Sequence, residues 1–183
     1  SHLAQRPGLH LVGQWVRGKL RTALGPDVVI EGGTILVAVT ARSQVASLDA
    51  IAGLRRLRQD GPFVIAGNGE VGRKVAQLLT DAGESTFMID TRPGPGVDLV
   101  GNVLDTQVLD QAGLGEARAV ILALSADAPT LFSTVILRDH APDLPVIARV
   151  NLAENLERVY AAGADFALSV AQVSGQLLSL RLL

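Results

Sequence analysis

The chain has 183 residues, 48% of them apolar, and a formal net charge of −2 at pH 7. It contains no cysteine, which excludes disulfides, thiolate metal sites and cysteine nucleophiles and fits a cytoplasmic setting. The near-neutral charge and a 3% aromatic content argue against a nucleic-acid partner, which wants a basic footprint and often stacking rings.

No apolar run reaches the roughly 18 to 20 residues of a membrane span, and no amino-terminal stretch has the order of a signal peptide. In chain order, Val28–Ile30 reads as a strand, Glu31-Gly32-Gly33 as a turn, and Thr34 to Ala41 (TILVAVTA) as a second, β-branched strand. Ser43 can cap a helix running to about Arg58, with Val45, Leu48, Ile51, Ala52 and Leu57 along one face. Trp15, the only tryptophan, is expected to pack beneath these strands. Two strands and one helix make a weak domain alone, so residues 1–60 read as a small α+β segment, a fragment or a partner-dependent appendage.

The pattern changes at Asp60-Gly61-Pro62. Strands are expected over Phe63–Ala66, Ser85–Asp90, Val97–Gly101, Ala119–Leu124, Val146–Val150 and Phe166–Leu168. Helices are expected over Glu70–Asp81, Thr106–Ala112, Pro129–His140 and Leu152–Ala162, the last stopped by Gly163. A further helix begins at Val170. Alternating strands and helices imply an α/β fold with a parallel, doubly wound sheet over residues 61–183. The unbroken apolar strand at 119–124 suits a sheet covered on both faces.

One motif carries chemistry. Gly67-Asn68-Gly69-Glu70-Val71-Gly72 is a G-x-G-x-x-G that follows an apolar strand and opens a helix. The first glycine permits the tight turn, the second lets the backbone approach a pyrophosphate, and the third lets helix and strand pack closely. The helix start then offers N–H groups and dipole to negative charge. Asp90 ends the second strand about 20 residues on, where an acid accepts hydrogen bonds from a ribose. This is a Rossmann-type arrangement, and it favours NAD(H) or an adenine nucleotide (ATP, ADP or AMP) over NADP. Arg92 pulls the other way, because a nearby arginine can accommodate a 2′-phosphate.

Residues 63–174 resemble the amino-terminal RCK domain (regulator of potassium conductance), also called the KTN or Trk-type nucleotide-binding domain. The motifs that carry the resemblance come in order: VIAGNGEVGRKVAQLL with Asp90, then Leu99-Val100-Gly101-Asn102, VLDQAGLGEARAVILAL, Ser125-Ala126-Asp127, and VIARVNLAENLERVYAAGADFALS. The chain has Gly101-Asn102 where the family usually has Gly-Asp. The resemblance implies a six-stranded Rossmann unit that pairs through its late helices and binds NAD(H) or an adenine nucleotide. It also implies a membrane-embedded potassium pore elsewhere. The glycine loop would hold phosphates and Asp90, with Thr91 and Arg92 beside it, the ribose. Asn102 and Val103 would flank the adenine, Leu124 and Ser125 would lie across the cleft, and Arg149 would reach a phosphate. The stretch EGGTILVAVTARSQVASLDAI also looks like the end of an RCK carboxy-terminal lobe. The chain would then be the middle of a longer, membrane-anchored polypeptide with tandem units, on the cytoplasmic side of the membrane.

The remaining residues have plainer readings. Glu154, Glu157 and Asp165 read as a solvated face rather than a metal site, with Glu154 and Arg158 an i, i+4 pair. His10 and His140 read as surface or capping residues, and Arg55-Arg56-x-Arg58 as a solvated helix end. Ser125 has no nucleophile elbow. Apolar Leu177 and Leu178 put a dimer seam on the last helix. Two other functions compete with a nucleotide sensor: a fragment of an NAD-dependent oxidoreductase, which would need a substrate domain and an acid–base residue, and a structural oligomerisation module with a relic site.

Overall fold

A computed structural model describes residues 9–16, 19–22, 35–40, 58 and 60–171. The chain divides into two compact units, Ser1–Arg56 and Leu57–Leu183.

In the first unit, strands β1 (Leu9–Val16), β2 (Lys19–Thr22) and β3 (Ile35–Thr40) form an antiparallel sheet of order β2-β1-β3. β3 falls inside the expected 34–41 strand. β1 and β2 are not expected from sequence, because Gly13 and Gln14 interrupt the apolar alternation of β1 and β2 is a short LysLeuArgThr run. The interruption coincides with a register shift between Leu11 and Gly13. Trp15 lies within β1, opposite Leu20 and Ile35. The expected Val28–Ile30 strand lies outside the described residues, as does the helix after it except Arg58. Arg58 donates to the Gly115 carbonyl and pairs with Glu116 at 2.9 Å, rather than standing solvated.

The second unit runs β4 (Phe63–Ala66), α1 (Glu70–Asp81), β5 (Thr86–Asp90), β6 (Leu99–Val100), α2 (Thr106–Gln111), β7 (Ala119–Leu122), α3 (Asp127–His140), β8 (Val146–Val150), α4 (Leu156–Ala161) and β9 (Phe166–Ser169). The six strands are parallel, in the order β6-β5-β4-β7-β8-β9. This is the Rossmann-like α/β fold expected.

Side chains of a strand alternate between faces, and β4 shows the consequence. Ile65, with Met88 and Ala123, packs against Val71, Val75, Ala76 and Leu79 of α1. Val64 and Ala66 join the larger core, which also holds Leu109 of α2, Leu137 of α3 and Val159 of α4. Helices therefore cover both faces, which explains the unbroken apolar run of β7.

Two helices differ from expectation. α3 begins at Asp127, with Pro129 inside its first turn, where a missing N–H costs nothing. The expected helix over 152–162 is instead a 3₁₀ turn (Ala153–Asn155) followed by α4. Its first turn is drawn aside, because the Leu152 N–H and the Asn155 amide both donate to Asp127. The final helix is described only at Val170 and Ala171, so Leu177 and Leu178 lie outside the described residues. No described helix is long and apolar enough to cross a membrane.

Candidate functional site

Strand order reverses between β4 and β7. From β4 the chain steps outward to β5 and β6, and from β7 it steps the other way to β8 and β9. Loops at the carboxyl ends of these two strands therefore diverge and leave a crevice. A cleft of about 330 Å³ opens there, at the low end of the range for small-molecule sites.

The glycine loop forms its floor. Gly67 sits at φ +105° and donates its N–H to the Ile89 carbonyl at 2.8 Å. A Cβ on Gly72 would stand 1.8 Å from the Gly67 carbonyl oxygen, so the third glycine is required for helix and loop to meet. Around Gly69 a Cβ would meet nothing within 4 Å. Gly69 lines the cleft and precedes α1, so the open space above it belongs to the cleft.

Asp90 stands at the end of β5 on the rim. Its carboxylate accepts the Asn68 N–H at 2.7 Å and the Arg92 N–H at 2.9 Å. Burial pushes the carboxyl up, but these two N–H groups, the Arg92 charge and the Thr91 hydroxyl outweigh it and hold it below its ordinary value. An ionised carboxylate has about four acceptor sites, so Asp90 stays a charged acceptor with capacity for ribose hydroxyls.

Of the residues singled out from sequence, Gly67, Gly69, Asp90, Thr91, Arg92, Asn102, Val103, Leu124, Ser125 and Arg149 line this cleft together. Asn68, Glu70, Val71 and Gly72 do not line it. Asn68 instead braces the loop: its amide donates to the Pro95 carbonyl at 3.3 Å, and its own carbonyl accepts from Arg73 at 2.7 Å. Asn102 turns its side-chain oxygen to the Leu104 N–H at 3.0 Å, which shapes the turn after β6. Arg149 lies near the end of β8, and its Nε is buried with no hydrogen-bond partner among the described residues. A buried cationic donor left unmet at the edge of a cleft suits an anionic or carbonyl acceptor.

The family follows from a comparison of the whole sequence. The TrkA-N domain family model matches residues 63–170, more than half of the chain. The chain belongs to the TrkA-N domain family.

Relatives of this chain match it over part of their own, longer sequences. Potassium channel protein 1 of Methanocaldococcus jannaschii is 24% identical over 123 residues, 62% of this chain and 37% of that protein. The glutathione-regulated potassium-efflux system protein KefC of Escherichia coli O139:H28 is 24% identical over 140 residues, 72% of this chain and 23% of that protein. Among solved structures, the GsuK RCK domain aligns with TM-score 0.71 and 31% identity over 97% of this chain and 39% of its own. The GsuK channel bound to NAD aligns with TM-score 0.70 and 31% identity over 97% of this chain and 33% of its own. GsuK bound to ADP aligns with TM-score 0.61 and 30% identity over 68% of this chain and 34% of its own. The chain thus spans well under half the length of each of these proteins.

Sequence reasoning missed lining residues that contribute shape rather than chemistry: Ala66, Ile89, Gly101, Leu104, Ala123, Ala126 and Pro129. It also underweighted Asp127. That carboxylate accepts the Asn151 N–H (2.7 Å), the Asn151 amide (2.9 Å), the Leu152 N–H (3.0 Å) and the Asn155 amide (2.8 Å). The Asn151 amide also donates to the Ser125 carbonyl at 3.0 Å. Asp127 thus joins the ends of β7 and β8, the two strands that frame the Arg149 half of the cleft. The only signal in the sequence was the Ser125-Ala126-Asp127 pattern. Elsewhere, Asp165 accepts from Arg138 (2.8 Å) and the Val146 N–H (2.8 Å), His140 pairs with Asp110 at 2.9 Å, and Arg158 donates to Asn155 at 3.1 Å where a Glu154 pair was expected.

Proposed function

We propose that this TrkA-N domain binds NAD(H) or an adenine nucleotide in the cleft and regulates the gating of a potassium channel or transporter, without catalysing a reaction. The observation that carries the binding role is a juxtaposition in one crevice. The open backbone of Gly69 at the start of α1 stands beside the ionised Asp90, and across the switch point lies the unmet Arg149 Nε. Phosphates would take the N–H groups of the glycine loop and helix start. A ribose would take Asp90, and the base would lie toward Asn102 and Val103. A second phosphate or a nicotinamide half would lie toward Leu124, Ser125 and Arg149. The GsuK structures holding NAD and ADP, at 30–31% identity, support both ligand classes.

An oxidoreductase would need an acid–base residue by the reacting ring. The residues lining the cleft include no histidine, lysine, tyrosine or glutamate. Their one carboxylate, Asp90, has a lowered pKa and is a weak base at neutral pH. A regulator instead needs differential affinity for two arrangements of paired domains. The chain would work on the cytoplasmic side of the membrane as part of a longer polypeptide, paired with a second copy through its late helices and coupled to a pore.

The test is calorimetric titration of the chain with NAD+, NADH, ATP, ADP and AMP, beside Asp90→Ala. Saturable binding that Asp90→Ala weakens about tenfold to a hundredfold is expected, the loss of a hydrogen bond to a charged group. A folded chain that binds none of the five overturns the reading in favour of a structural module.

A further inference from the structure

We infer that Arg92 is a specificity-determining residue of this site: its guanidinium lies flat on the exposed face of the purine ring. The inference rests on the nucleotide-binding reading and adds how the site recognises a base.

A base in this cleft needs two covered faces. With phosphates at the glycine loop on β4 and ribose at Asp90 on β5, the ring falls between the ends of β5 and β6. There Val103, 6% exposed, and Leu104 offer an apolar wall on one side. None of the residues lining the cleft is aromatic, so no ring supplies the other face. The planar side chains of the lining are Asp90, assigned to the ribose, Asn102, whose oxygen is turned to the Leu104 N–H, and the guanidinium groups of Arg92 and Arg149. Arg149 sits on β8, three strand spacings from β5, or about 14 Å, too far to cover the base. Arg92 follows Asp90 by two residues and lines the same end of the cleft.

Arg92 is also available. It is exposed, and among the described residues its one hydrogen bond is the backbone N–H given to Asp90. Among the described residues the guanidinium has no hydrogen-bond acceptor and no close ion pair, and its charge acts on Asp90 only at longer range. That backbone bond anchors the start of the side chain beside the ribose carboxylate. A guanidinium is delocalised, planar and weakly hydrated, so it stacks on π-faces as an ammonium does not. Use of Arg92 on a 2′-phosphate would place that dianion against the ionised Asp90, which disfavours it.

The experiment is a titration of the full chain and of Arg92→Ala, Arg92→Lys and Arg92→Tyr with AMP, with ribose 5-phosphate, which lacks a base, and with 2′-AMP. Because Arg92 is exposed, all variants should keep the parent's melting temperature, which is measured alongside. Arg92→Ala should weaken AMP binding about tenfold, the scale of one base-stacking contact, and leave ribose 5-phosphate unchanged. Arg92→Tyr should restore AMP binding and Arg92→Lys should not. Equal loss of AMP and ribose 5-phosphate overturns the stacking role, as does no loss of AMP. Rescue by Arg92→Lys but not Arg92→Tyr, or tighter binding of 2′-AMP than of AMP by the parent, also overturns it, in favour of a phosphate contact. A parent chain that binds neither AMP nor NAD+ overturns the nucleotide reading itself.

Discussion

Gly69 and Gly72 belong to one motif yet do different work, and alanine separates them. A methyl at Gly72 meets the Gly67 carbonyl oxygen at 1.8 Å, so helix or loop must move. Gly72→Ala should lower stability by about 1–3 kcal/mol, read as a fall in melting temperature. A methyl at Gly69 meets no protein atom within 4 Å, and the residue's φ of −74° suits alanine. Gly69→Ala should therefore keep the melting temperature and weaken nucleotide binding about tenfold or more, through a clash with the phosphates alone. Equal affinity in the Gly69→Ala chain would place the phosphates elsewhere.

At the same scale, Asp127 makes stability depend on acid. Burial pushes its carboxyl up, but the N–H groups of Asn151 and Leu152 and the amides of Asn155 and Asn151 outweigh it and hold it below the ordinary carboxylate value. Asp90 is lowered likewise. A depressed native pKa means that the unfolded chain binds more protons in this range, so stability rises with pH there. The contribution is complete above the unfolded value of about 3.9 and is lost as pH falls through the lower native values. Thermal melts between pH 5 and pH 3 should show this loss, and Asp127→Asn should make the dependence shallower. An unchanged slope in that variant would locate the acid sensitivity in other groups.

Among the elements, α3 has an inner face and an outer face of different use. Its inner face buries Thr130, Ser133, Thr134 and Leu137, small or apolar side chains that let the helix lie close on the sheet. Its outer face leaves Phe132 59% and Val135 49% exposed, and Leu152 after β8 is 57% exposed. This exposed apolar face is a candidate surface for the proposed pairing. Pairing of two copies through the late helices would cover them. Phe132→Glu should shift sedimentation equilibrium of the chain toward the monomer mass, while circular dichroism stays that of the parent. A mass unaffected by the change would move the pairing surface off α3.

For the whole molecule, much of the second unit was legible because its elements are local and its patterns redundant. β4, α1 and β8 stand where apolar runs and glycine punctuation put them, since strands covered on both faces are mostly apolar and the glycines mark where α1 begins. The glycine loop and Asp90 were readable because a tight turn and a close helix–loop contact demand particular residues in sequence. The first unit was less legible: Gly13 and Gln14 break β1, and only its pairing with β2 and β3 makes it a strand. Nor could local pattern show that the helix after β8 opens as a 3₁₀ turn, because Asp127 lies 24 or more residues earlier in the chain. By itself, then, the sequence determined the parallel α/β alternation, the glycine loop and the carboxylate at the end of β5, which rest on near-neighbour chemistry. Only the tertiary structure decided which residues share the cleft, that Arg149 keeps an unmet buried donor, that Gly69 is open and Gly72 is not, and that Asp127 ties two strands together. Those facts depend on side chains meeting across strands far apart in the chain.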